Sequence, residues 1–361
     1  MFNKRAIQLQ PYLVSERFKG TKNGDWLFLD WNETTYELLP NIKQKLKEAI
    51  DEGVVVSYPD GDRDDVLAAI GEFNEVPPEY ILVFNGSDSA LKDCIQCLLD
   101  PEDEISVVEP EYSQINTFVQ MAASKMDLIK LKNPFEFSIE ELIDSLKEKK
   151  FLYLSNPSNP TGRYLSRMEI IKILDTGICL LLDEAYVEFA PESCTKLVEK
   201  YTNLLIFRTF SKAFGLAGLR LGYVLSHSEN INILKKNRNS KEINALANIA
   251  VKEALSSLEI FRSRIKEIIA TRDNFISEIN QLDQRICAFN SMANFVVVKT
   301  SHLTELISYL EGNKILIRDR RGMYFMDDCA RVSVGTPDQM KILINLLSDF
   351  FKNLRYIDPK S

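Results

Sequence analysis

The sequence predicts an α/β fold, with a large unit built on a mostly parallel sheet between helices and a smaller α+β unit after it. Three observations carry this. The first is a series of short runs that are apolar at nearly every position: Ile81-Leu-Val-Phe84, Phe151-Leu-Tyr-Leu154, Ile178-Cys-Leu-Leu-Leu182 (with Asp183 next) and Leu204-Leu-Ile-Phe207. Runs of that kind suit strands covered on both faces, and the helical segments between them suit parallel crossovers. The second is length: 361 residues exceed one ordinary core, so two domains are expected. The third is a change of pattern after about Asn237, where a long charged helical region precedes a few isolated strands.

Taken in order, Pro40 to about Glu52 has apolar residues at helical spacing. Val54 to Asp60 leads into a loop at Gly61, and Val66 to Phe73 reads as a helix. Ile81–Phe84 is a strand that runs into Asn85-Gly-Ser-Asp88, and a helix follows. Glu104–Val108 is a strand, Tyr112–Ala123 a helix, Leu128–Leu131 a short strand and Ile139–Lys147 an amphipathic helix. After the strand at Phe151–Leu154 come a helix at Met168–Leu174 and strands at Ile178–Leu182, Leu204–Phe207 and Leu221–Leu225. A helical region from about Asn244 to Leu282 breaks near Ser256-Ser257. Asn294–Val298, Ile315–Ile317 and Arg331–Val334 read as strands, Thr304–Leu310 and Pro337–Phe351 as helices.

Composition narrows the function. A net charge of −8 disfavours a nucleic-acid partner. No window approaches the roughly 18 uninterrupted apolar residues of a membrane span, and Met1-Phe-Asn-Lys-Arg5 has no signal-peptide core, so the cytoplasm is the expected compartment. Cys94 and Cys97 form a C-x-x-C without a second pair, in an apolar helical stretch; they read as buried or half-buried thiols, and no metal site is expected. His227 and His302 stand far apart, which gives a histidine-based mechanism little support.

The chemistry concentrates in three segments. Thr209-Phe-Ser-Lys-Ala-Phe-Gly-Leu-Ala-Gly-Leu-Arg220 places Lys212 beside small hydroxyl residues and eight positions before an arginine. Asp183-Glu-Ala-Tyr186 ends an apolar run, and Asn156-Pro-Ser-Asn-Pro-Thr-Gly162 precedes both. In that order and at those spacings, the segments resemble fold-type I pyridoxal phosphate (PLP) enzymes of the class I/II aminotransferase family, closest to its histidinol-phosphate aminotransferase branch.

The resemblance implies a PLP cofactor and assigns residues to it. Lys212 would form a Schiff base with the aldehyde and later act as the base of a 1,3-proton shift. Asp183 would pair with the protonated ring nitrogen, while Asn159 and Tyr186 bond the 3′-oxygen. Ser87, in the Asn85–Asp88 turn, with Thr209, Ser211 and Arg220, would hold the phosphate, helped by backbone amides at a helix N-terminus. Asp88 is expected to serve there through its backbone, since a carboxylate beside phosphate is unfavourable. Tyr112 would lie over the ring face, and Tyr58 would reach the phosphate from a partner subunit, which implies a homodimer with shared sites. Arg331 aligns with the arginine that grips the substrate carboxylate. Arg318 reads either as an anion-binding residue or as part of a solvated charged turn.

The resemblance also implies a domain plan: residues 1–40 as an N-terminal arm packing with the small domain, 41–240 as the large PLP-binding domain, and 241–361 as the small C-terminal domain. Two segments depart from the family pattern. Trp31-Asn-Glu-Thr-Thr35 stands where Asn-Glu-Asn-Pro is usual, and Gly322-Met-Tyr-Phe-Met-Asp-Asp-Cys329 replaces the usual loop. Substrate residues, Asn32 among them, fall in such places. The expected reaction is amino transfer between an amino-acid donor and a small phosphorylated keto acceptor or amino compound. Decarboxylation of an O-phospho amino acid is the alternative, and a non-catalytic binding module a third.

Overall fold

The computed structural model describes residues 26–59, 63–122, 124–239 and 241–357, with residues 7 and 9. Most of the expected N-terminal arm, the Gly61 loop and Ala123 lie outside the described residues. β1 (Leu27–Leu29) is followed by α1 (Pro40–Asp51), whose first residue is a proline with φ already suited to a helix start. α2 (Asp64–Asn74), β2 (Ile81–Phe84), α3 (Ser87–Leu98) and β3 (Glu104–Glu109) come next. α4 (Gln114–Met121) begins two residues later than the sequence suggests, and the Tyr112 N–H before it donates to the Glu111 carboxylate at 2.8 Å.

β4 (Lys125–Lys130) starts three residues before its expected position. It is an edge strand, largely exposed, so its apolar pattern shows only at the end. α5 (Ile139–Ser145) is capped by the Ser138 hydroxyl, and β5 (Phe151–Ser155) follows. α6 (Arg167–Leu174) opens on a Ser166/Glu169 capping box, in which each residue satisfies an orphan N–H. β6 (Cys179–Asp183), β7 (Leu204–Thr209), β8 (Gly222–Ser226), α7 (Ser228–Asn237), α8 (Ala245–Ser256) and α9 (Leu258–Leu282) lead to the second sheet. The remainder is β9 (Cys287–Ala288), β10 (Phe295–Lys299), α10 (Leu303–Gly312), β11 (Ile315–Asp319), β12 (Cys329–Ser333) and α11 (Pro337–Ile357).

Seven strands form one sheet in the order β2-β8-β7-β6-β5-β3-β4. β8 runs antiparallel to both neighbours, and the other pairings are parallel. Alternate residues feed opposite faces. Leu180, Leu182, Leu204 and Ile206 join one core, while Leu181, Leu205 and Phe207 join another with Leu91 and Ile95 of α3. This double coverage is why these runs are apolar at successive positions.

The second sheet has the order β1-β11-β12-β10-β9. β1 pairs in parallel with β11, Leu27 opposite Ile315, so a segment from the start of the chain edges a sheet made by its end. The first of the two cores continues into this sheet through Phe295, Val296, Ile315 and Val332. Cys94 is buried in α3, but Cys97, near the end of that helix, is exposed rather than buried or half-buried.

Candidate active site

Parallel strands present their C-terminal ends on one edge, where side chains are released from the sheet into a crevice. Asp183 ends β6; Lys212 follows β7 by three residues, Glu111 and Tyr112 follow β3, and Asn159 follows β5. The second sheet brings Arg318 and Arg331 to the same place. Together they wall a cavity of about 470 Å³. Of the residues expected from sequence, Asn32, Ser87, Asp88, Tyr112, Asn159, Asp183, Tyr186, Thr209, Ser211, Lys212, Arg220, Arg318 and Arg331 line it. Tyr58 does not. It lies beyond α1, exposed, with the Lys241 ammonium 4.6 Å above its ring.

Lys212 is half-buried, and its Nζ donates to the Trp31 carbonyl at 3.1 Å. Burial of the amine, followed by the Arg331 charge, lowers its pKa to about 8. An amine near neutrality is what attack on a carbonyl carbon needs. Asp183 is buried. Tyr153 donates to one of its oxygens at 2.9 Å and the Ala185 N–H to the other at 3.0 Å. Burial still raises it to about 6 against those bonds, so a cationic N–H delivered from the cavity is a favourable partner.

A polar string crosses the floor. Arg331, buried, donates to the Asn159 side-chain oxygen at 2.6 Å and to the Asp30 carbonyl at 2.8 Å. That contact turns the Asn159 amide nitrogen toward the Tyr186 hydroxyl, 3.4 Å away, which also accepts from the Asn32 side chain at 2.9 Å. Asn32 has φ +54°, and its backbone N–H donates to Ser333 at 2.9 Å. Tyr186 packs edge-on to Phe295, and burial pushes its hydroxyl pKa up.

The opposite end is an anion cradle. α3 starts at Ser87, so its first backbone N–H groups face the cavity. A Cβ on Gly86, where φ is +85°, would lie 2.6 Å from the Arg220 guanidinium; one on Gly222 would lie 2.5 Å from the Ser87 nitrogen. Both glycines therefore permit the helix start and Arg220 to close on one spot. The Thr209 and Ser211 hydroxyls sit 3.0 Å apart beside it. Asp88 departs from the backbone role read from sequence: its carboxylate accepts from the Tyr112 hydroxyl at 3.0 Å and pairs with Arg220 at 3.4 Å. The donor set fits PLP throughout: an amine for the aldehyde, a buried carboxylate for the ring nitrogen, and a glycine-backed cradle for the phosphate.

Sequence reading missed Trp31, Glu33, Glu111, Arg320 and Met323, which also line the cavity. Arg320 lies two positions after Arg318, so strand alternation is a signal that could have found it. Met323 lies in the departing loop, and nothing in its local sequence marks it.

The sequence profile of the family "Aminotransferase class I and II" matches residues 24–347. A dihydroxyacetone phosphate transaminase of Campylobacter jejuni is 33% identical over 358 residues, 97% of each chain. A histidinol-phosphate aminotransferase of Clostridium kluyveri is 30% identical over 356 residues, 98% of this chain and 99% of the other. Among solved structures, histidinol-phosphate aminotransferase from Sinorhizobium meliloti in complex with pyridoxal-5′-phosphate aligns with a TM-score of 0.83 at 22% identity, covering 91% of both chains, and shares the fold. Profile, relatives and architecture agree with the crevice at the strand ends: the chain belongs to the class I and II aminotransferase family and is an enzyme of amino-group transfer.

Proposed function

We propose that this aminotransferase uses PLP held at Lys212 to move an amino group between an amino-acid donor and a small phosphorylated keto compound. The observation that carries the reading is the convergence of Lys212, Asp183 and Arg331 on one cavity, with Arg318 beside Arg331. When bound, PLP supplies an aldehyde that links to amines and a protonated ring that withdraws electrons from the substrate α-carbon.

The chain's own residues do the rest. Lys212, whose amine burial shifts toward its neutral form, would hold the aldehyde and, once freed by substrate, would serve as the base that moves the α-proton. Asp183 keeps the ring nitrogen protonated. Asn159 and Tyr186 donate to the 3′-oxygen, and Tyr112 covers a ring face. The α3 start, with Ser87 and Asp88, binds the phosphate together with Thr209, Ser211 and Arg220. Arg331 grips the substrate carboxylate beside Asn32.

Arg318 and Arg331 are register partners across the antiparallel pair β11–β12, and both line the cavity. Like charges placed opposite one another cost stability in a sheet. An anionic substrate would meet both guanidinium groups, and Arg320 extends the same wall. We also propose that the expected domain plan holds (1–40, 41–240, 241–361), that Tyr58 completes the phosphate cradle of a second copy in a homodimer, and that the enzyme works in the cytoplasm. Among the described residues no helix is long and apolar enough to cross a membrane.

The deciding experiment incubates PLP-loaded protein with glutamate, then with dihydroxyacetone phosphate or an imidazole-bearing phosphate ester, and follows pyridoxamine phosphate against carbon dioxide. Pyridoxamine phosphate formed from the donor and consumed by a phosphorylated acceptor supports the reading. Stoichiometric carbon dioxide from an O-phospho amino acid would replace it with decarboxylation.

A further inference from the structure

We propose that Glu111 is a positioning residue of this site: its buried carboxylate, part of the cavity wall, fixes Tyr112 and Asn159 relative to one another. The inference rests on the reading of Lys212 as the PLP-holding residue. Glu111 is 6% exposed and lies between β3 and α4. It accepts three hydrogen bonds: the Ser155 hydroxyl at 2.5 Å and the Tyr112 N–H at 2.8 Å on one oxygen, and the Ser155 N–H at 3.1 Å on the other. The Ser155 hydroxyl in turn accepts the Asn159 N–H at 3.0 Å. Donors therefore run in one direction, from the Asn159 backbone through the Ser155 hydroxyl to the Glu111 oxygen.

Only an ionised carboxylate accepts at both oxygens without presenting a proton of its own. Burial works against that state and raises Glu111 to about 8, with the Asp183 charge adding to the rise, so the one-directional chain is fully formed only above that pH, and below it the acid proton shares the link to the Ser155 hydroxyl. Asp183, Tyr153 and Tyr112 stand around it, and Glu109 and Arg163 line a small pocket with it on the other side. An apolar side chain would fill the same space without burying a charge. It would not tie the chain after β3 to the turn after β5. The two tied segments hold groups on different sides of the cofactor: Tyr112, whose hydroxyl bonds Asp88 of the cradle, and Asn159, whose side chain meets Arg331. Glu111 itself bonds neither the cradle nor the arginine, so its effect passes through its neighbours.

Glu111→Gln tests this, because an amide placed here must set an N–H donor against one of the N–H groups the carboxylate accepts. Three quantities are read: melting temperature, the PLP dissociation constant of the cofactor-free protein, and the pH midpoint of the visible band of the Lys212-bound cofactor. Loosening Asn159 weakens donation to the 3′-oxygen. The midpoint is then expected to rise by about 0.5–1 unit and PLP to bind about tenfold more weakly, the scale of part of one charge-assisted hydrogen bond. Ser155→Ala breaks the same chain one link later. It is expected to shift the midpoint in the same direction, and the double variant no further than the larger single. A Glu111→Gln midpoint and dissociation constant equal to wild type, whatever the melting temperature, overturn the inference, as does a double variant whose shift is the sum of the singles. If Glu111→Gln does not fold, an unchanged midpoint in Ser155→Ala is decisive against it. A wild type without a borohydride-reducible visible band would remove the proposed function first, and this inference with it.

Discussion

Arg318 and Arg331 stand opposite each other across β11 and β12, two guanidinium groups on neighbouring strands facing one cavity. Arg331 is buried and braced by Asn159 and the Asp30 carbonyl, while Arg318 is half-buried. The pair divides the labour: a braced fork for a planar carboxylate, and a second cation for a further anionic group.

Replacing Arg318 with glutamine removes one cation from the cavity wall and leaves Arg331 in place. The KM for a phosphorylated acceptor is expected to rise about 10- to 150-fold, the loss of one charged hydrogen-bonding partner, while KM for a donor with a single carboxylate, such as alanine, changes little. Steady-state kinetics with both substrates checks it, and equal effects on the two would remove Arg318 from the phosphate role.

Arg331→Lys keeps a charge but loses the fork that serves substrate and Asn159 together. We expect kcat/KM for a carboxylate donor to fall by about 2–4 kcal/mol, roughly 30- to 1000-fold, with PLP retained. An amine without a carboxylate should be far less affected. Normal kcat/KM for carboxylate donors in the variant would show that the anchor lies elsewhere, with Arg318 next.

Lys212→Ala is expected to abolish borohydride-trapped PLP; labelling of another lysine would sink the assignment. The lysine also carries a stability cost. Its folded pKa, about 8, is below the ordinary 10.5, so the folded state binds that proton less tightly. The penalty is complete below about pH 8 and fades as pH rises toward 10.5. Lys212→Met should therefore stabilise the cofactor-free protein at pH 7 by about 1–2 kcal/mol, less than the full shift because the residue is only half-buried. The gain should shrink as pH rises from about 8 and be lost by about 10.5, as read by denaturant titration.

Subunit mixing tests the shared site. Lys212→Ala and Tyr58→Phe proteins, combined under exchange, yield mixed dimers in which one site carries both lesions and the other neither. Activity should exceed the mean of the parents. No gain after confirmed exchange, or a monomer at micromolar concentration, would count against it.

Much of this was legible because the central strands announce themselves. Leu180, Leu181 and Leu182 are apolar in succession since each face of the sheet has its own core. Lys212, Asp183 and Asn159 stood out through the family resemblance of their segments, and all three line one cavity at or just past strand ends. Elements with little local pattern were missed. β9 is two residues long, β1 three, and α7 buries only Ile231 and Leu234 among polar neighbours. Glu111 and Met323 escaped for a related reason: their role comes from what distant segments place around them. The Asp88 side-chain contacts were equally hidden, since Arg220 meets it across 132 positions of chain.

The β1–β11 pairing has a kinetic consequence. Asn32 reaches the site through a bond to Ser333, 301 positions away, so closing that contact is among the costliest loop closures in the chain. The large sheet can form from nearer neighbours well before its substrate wall arrives. During refolding with PLP present, far-ultraviolet dichroism is expected to recover ahead of the visible cofactor band and of donor turnover; simultaneous recovery would show that both sheets form in one step. A nascent chain would thus hold Lys212, Asp183 and the anion cradle on the large sheet while still unable to grip a substrate, and competence would arrive only after its last strands are made.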